Sequence, residues 1–200
     1  TRFKCDWSSD VCSSDLALRL AFLGIGILLL MIGGASGQNV SDPDLVKQLQ
    51  RLFPTAATFS PKGGSPAVYK AFAAAPAGKT GELLGFAYWS TEIEPLERGF
   101  DGPIKMLVGL NMSGALTGII VTENREPYGY FSVDLPEFAA QFKNKNIRDA
   151  FKVGADVDAI SRATISVTSA SRAIRNSSRK VARAYLTPPP GAAAPASAAQ

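Results

Sequence analysis

Ile104-Lys-Met-Leu-Val-Gly-Leu-Asn111, Met112-Ser-Gly-Ala115 and Leu116-Thr-Gly-Ile-Ile-Val-Thr-Glu123 decide the fold. Two β-rich apolar runs flank a short polar turn in which Gly114 can take a positive φ, the pattern of a hairpin. Upstream, Val68 to Phe72 alternates and Leu83 to Trp89 is rich in aromatics, so both are expected to be strands. Lys62 to Pro66 reads as a turn and Ala73 to Lys79 as a loop of small residues.

Helices flank these strands. Ser41-Asp-Pro-Asp-Leu45 is a helix start, with Ser41 or Asp42 as the cap and Pro43 in the first turn. Leu45, Leu49, Leu52 and Phe53 then share a face, and Pro54 ends the helix. Pro136 to Phe142 is expected to be a short helix capped by Asp134. The last helix is expected from about Ser166 to Tyr185. Ala170, Ile174, Val181 and Tyr185 lie on one side, with Arg172, Arg175, Arg179 and Arg183 opposite. The basic side reads as a solvated face or as a contact for anionic headgroups or an acidic partner. The expected class is therefore α+β, an antiparallel sheet with flanking helices, in one domain over 38–187.

The ends have other compositions. Thr1 to Leu16 resembles the translated read-through of a sequencing adapter and is expected to be non-native. Cys5 and Cys12, the only cysteines of the sequence, both lie in it. With no histidine either, His-based catalysis and the usual zinc sites are excluded, and no metal site is expected. Residues 17–37 carry Arg19, an apolar run and small residues at Ala35 and Gly37, which reads as a signal peptide or an N-terminal anchor. Either places the domain in the periplasm or elsewhere outside the cytoplasm, with membrane association through an anchor and nucleic acid not an expected partner. Residues 188–200, rich in Pro and Ala, read as a disordered tail.

Asp158-Ala-Ile-Ser-Arg-Ala-Thr164 gathers small and hydroxylated residues just before the last helix. Read plainly, it is a Ser/Thr-rich cap. Alternatively, Thr164 is an acceptor for a phosphoryl group. Ala163 leaves room for a transferase, Asp158 orients the loop or binds a metal during transfer, and the helix end faces the phosphate.

Taken with Gly99 to Pro127, this stretch resembles the covalent FMN-binding domains. These occur in Rnf electron-transport complexes, in the sodium-pumping NADH:quinone reductase and in NosR-type proteins. The resemblance covers roughly residues 80–186. It implies FMN attached through its phosphate to Thr164 by a separate FMN transferase that uses FAD and magnesium. It also implies an electron carrier, not an enzyme with its own catalytic residues, serving a redox partner protein. Ser161, Arg162 and Ala163 complete the motif, and Arg162 stands where the family carries glycine; its guanidinium either hinders the transferase or pairs with the phosphate. Glu126, Pro127 and Tyr128, with Tyr130, are expected at the edge of the flavin ring or as packing for the sheet. Tyr88 and Trp89 read as core aromatics or as stacking surfaces. The competing expectation is a NosR-like sensory or assembly module that binds a partner without using flavin.

Overall fold

The computed structural model describes residues 40–186 apart from 77, 78 and 80. They belong to a unit spanning Gln38–Gln200. The adapter-like leader with Cys5 and Cys12, the apolar segment at 17–37 and the tail at 188–200 lie outside the described residues. Among the described residues, no helix is long and apolar enough to cross a membrane.

Helix α1 (Pro43–Leu52) begins as its sequence dictates. Asp42 accepts from the Asp44 and Leu45 amides at 3.0 and 3.4 Å, and Pro43 occupies the first turn. Five strands follow, β1 (Ala56–Phe59), β2 (Tyr69–Ala73), β3 (Leu83–Trp89), β4 (Lys105–Asn111) and β5 (Leu116–Glu123). They pair antiparallel in chain order, so the sheet is a meander. A one-turn helix α2 (Ser90–Ile93), a short α3 (Pro136–Ala140) and the 22-residue α4 (Thr164–Tyr185) complete the domain.

The hairpin is where its sequence put it. Asn111 Oδ1 accepts from the Ser113 and Ala115 amides at 3.0 and 2.9 Å, and Gly114 takes φ 81°. Interior strand β4, between β3 and β5, is buried from Met106 to Leu110 because both faces are covered. On one face Leu107 joins Ala87, Tyr69, Phe59 and the α1 residues Leu49, Leu52 and Phe53. On the other, Met106, Val108 and Leu110 meet Phe86, Tyr88, Phe138, Phe142 and the α4 residues Val167, Ala170, Ile174 and Val181. The sheet is thus the middle layer between α1 and α4.

Three expectations need correction. Asp134 does not cap α3, which starts after Leu135 with no side-chain cap; the Asp134 carboxylate instead accepts from Asn124 Nδ2. Helix α4 starts two residues earlier than expected, at Thr164. Ala163, not a Ser or Thr, occupies the capping position, and its carbonyl accepts from the Val167 amide at 2.9 Å. The arginine side of α4 is not a uniformly solvated face. Arg179 donates to the carbonyls of Ile147 and Asp149 at 2.7 and 2.9 Å, Arg175 donates to that of Ala150 at 3.4 Å, and Arg172 lies 3.7 Å from Glu97. Tyr88 is a core residue, and Trp89 packs on the α1 face with Lys105 Nζ 4.9 Å from its ring centre.

Candidate functional site

After β5 the chain folds back through Asn124 to Tyr128, and this return builds the site. Asn124 Oδ1 accepts from the Glu126 amide at 3.0 Å, closing a tight local turn. The turn drives the Glu126 carboxylate inward, where it is 7 % exposed. There it accepts from the amides of Phe100 and Asp101 at 2.9 and 3.2 Å and from the Ser166 hydroxyl. One carboxylate therefore joins three segments: the loop before β4, the loop after β5 and the first turn of α4. A buried acid is tolerable because several donors satisfy it, and its charge suits a helix N-terminus. Gly99 leaves room for it, since a Cβ there would press on the Glu126 carboxylate and force it to shift.

Above this junction lies a cleft of about 290 Å³. Phe100, Pro127, Tyr128, Arg162, Thr164 and Ile165 line it, with Ala163 and Ser166 at its base. Thr164 is exposed and occupies the first position of α4. The first turn of a helix leaves amide N–H groups without intrahelical acceptors and carries the positive end of the dipole. Arg162 turns the chain into the helix with φ 68°, in the left-handed region. That conformation explains why a glycine suits this position in the motif. Of the six large hydrophobic side chains exposed among the described residues, Phe100, Tyr128 and Ile165 line this one cleft. Such a concentration of exposed apolar surface marks a binding site more than a chance exposure.

The structure thus brings together Thr164, Ala163, Arg162, Pro127 and Tyr128 from the sequence reading. Glu126 does not line the cleft; it lies behind the wall and holds it. Ser161 and Asp158 are exposed and outside the lining, and the Asp158 amide donates to Gln141 Oε1 at 2.7 Å. Phe100, Ile165 and Ser166 were not foreseen. The exposed aromatic in Gly99-Phe-Asp-Gly102 and the apolar Ile165 beside the motif threonine were the available signals. Among the described residues, no group of three or more Cys, Asp or Glu side chains could hold a metal ion.

The residues present fit a phosphate-tethered flavin. The cleft is at the small end for a ligand pocket, so a ring there is only partly enclosed. Aromatic and aliphatic walls suit its faces, while the helix end and a guanidinium suit the phosphate. No curated protein matches the chain. Residues 99–179, from the loop before β4 to Arg179 in α4, match the family model of the FMN-binding domain. The cleft and that match together assign residues 99–179 to the FMN-binding domain family, with FMN as the cofactor.

Proposed function

We propose that the protein is an extracytoplasmic electron carrier that holds FMN through a phosphoester on Thr164. The observation that carries this reading is the exposed Thr164 hydroxyl position at the start of α4, on the wall of an apolar cleft. When bound, FMN supplies one- and two-electron redox chemistry. The chain supplies a tether at Thr164, aromatic walls at Phe100 and Tyr128, and positive charge at Arg162 and the helix end. Glu126 sets the spacing of these parts by binding the 99–101 loop and Ser166. The export segment read in 17–37 supports a location outside the cytoplasm.

Attachment needs a partner enzyme. The Thr164 oxygen forms a new bond to the FMN phosphorus of FAD, the pyrophosphate P–O bond breaks, and AMP leaves. The threonine proton passes to a base of the transferase, which also brings the magnesium. An exposed acceptor beside the small Ala163 gives such an enzyme access.

Co-expression with an FMN transferase tests this directly. The wild-type chain is expected to keep flavin fluorescence in a denaturing gel, and Thr164→Ala to lose it. A wild-type chain without flavin under those conditions contradicts the reading. The sensory or assembly alternative drew on Arg162 and on the arginine side of α4; the engagement of Arg172, Arg175 and Arg179 within the fold weakens the second of these supports.

A further inference from the structure

The arginine stripe of α4 ends differently from how it begins. Arg172, Arg175 and Arg179 are held by Glu97 and by backbone carbonyls of the 147–150 loop. Arg183, one turn further on, is exposed and has no carboxylate within ion-pair distance among the described residues. The same holds for Arg148, which lies on the loop.

These cations are brought together by construction. Arg179 binds the carbonyls on either side of Arg148, those of Ile147 and Asp149, and so pins that loop against the helix. Arg148, Arg179 and Arg183 then line one open groove of about 630 Å³. Its remaining walls include Met112 at the β4–β5 tip, Ile147 and Leu186. Met112 is 46 % exposed. Completion of the α4 dipole accounts for a cation at position 183. It does not account for Arg148 on another segment, nor for an exposed thioether beside these guanidinium groups.

We infer that this groove docks the domain onto an anionic phospholipid surface, with guanidinium groups on the headgroup phosphates and Met112 entering the interface. Cations adjoining a protruding apolar side chain form an interfacial pattern. An acidic polypeptide would use the charges and leave Met112 without a role. Arg183 lies about 28 Å from Thr164 along α4 at the helical rise per residue. Docking at one end of the helix therefore leaves the flavin cleft at the other end open to a redox partner. The inference stands independently of covalent flavin attachment.

The test is flotation of the full chain with vesicles of neutral phosphatidylcholine and with vesicles rich in phosphatidylglycerol. Comparing the two separates any salt-insensitive binding by the apolar 17–37 segment from headgroup recognition. Arg148→Glu with Arg183→Glu should weaken binding to the anionic vesicles at least about 30-fold and leave binding to the neutral ones unchanged. Arg51→Glu with Lys152→Glu, an equal change of charge elsewhere, should cost far less. The milder pair Arg148→Gln with Arg183→Gln should show the same ordering if the glutamates disturb folding, which thermal melting reports. Equal losses in the groove and control variants, or undiminished anionic-vesicle binding by both groove variants, overturn the inference. So does capture of polyglutamate that depends on the groove while vesicle binding does not.

Discussion

Arg162 occupies a left-handed backbone conformation at φ 68° immediately before the helix that carries Thr164. A side chain with a Cβ resists that region by about 1–2 kcal/mol, whereas glycine enters it freely. Arg162→Gly is therefore expected to raise the stability of the folded domain by about 1 kcal/mol, read as a higher urea midpoint. If Arg162 also pairs with the phosphate, flavin loading falls as stability rises, and the two readouts separate the roles. Glu126 is the other residue on which the site turns. Glu126→Gln presents an amide N–H₂ to at least one of its three donors and should cost about 1–3 kcal/mol. Flavin yield should fall with it, because the 99–101 loop and Ser166 lose their common anchor; an unchanged melting temperature would contradict this role. The motif residues could be read from the sequence because they are contiguous. Phe100 carried only the signal of an aromatic between two glycines and Ser166 none, since the two segments meet only through the buried carboxylate of a third.

The elements differ in how openly the sequence declares them. The β4–β5 hairpin and α1 were legible because turn chemistry, capping and apolar pattern agree within one short window. β1 and α2, four residues each, carry too little pattern to stand out and are set by the neighbours they pack on. The start of α4 was misjudged because a Ser/Thr cluster suggests a side-chain cap, whereas the Arg162 turn makes the entry by backbone geometry alone. The arginine stripe was misjudged because helical spacing says nothing about a loop folded over it. Sheet and helix are joined at Tyr88, whose hydroxyl donates to Ser178 Oγ at 2.7 Å in the core. Burial pushes the Tyr88 hydroxyl well above the usual tyrosine range, so it stays protonated and donating. Tyr88→Phe removes one bond but leaves the Ser178 hydroxyl its bond to the Ile174 carbonyl. The expected loss is about 1 kcal/mol, measured by denaturant unfolding. A much larger loss would mean that the β3–α4 contact depends on the hydroxyl itself.

At the scale of the described domain, the sheet is a middle layer with different work on its two faces. The α1 face is closed by a small apolar cluster and helps to cover β4. The α4 face carries the larger core and, at its rim, both the Thr164 cleft and the basic groove. Residues 99–179, which match the FMN-binding domain, supply β4, β5, α3 and most of α4, so the site lies on the matched part while β1 to β3 extend its sheet. The proposed attachment of the flavin to a single threonine is open to a direct chemical test. Trypsin cleaves after Arg162 and Arg172, releasing Ala163–Arg172 with Thr164, Ser166, Thr168, Ser169 and Ser171. Peptide mapping by mass spectrometry after co-expression with an FMN transferase is expected to find this peptide heavier by one FMN less water, with fragmentation placing the addition on Thr164. An unmodified peptide, or an addition on another of its hydroxyls, would contradict the account.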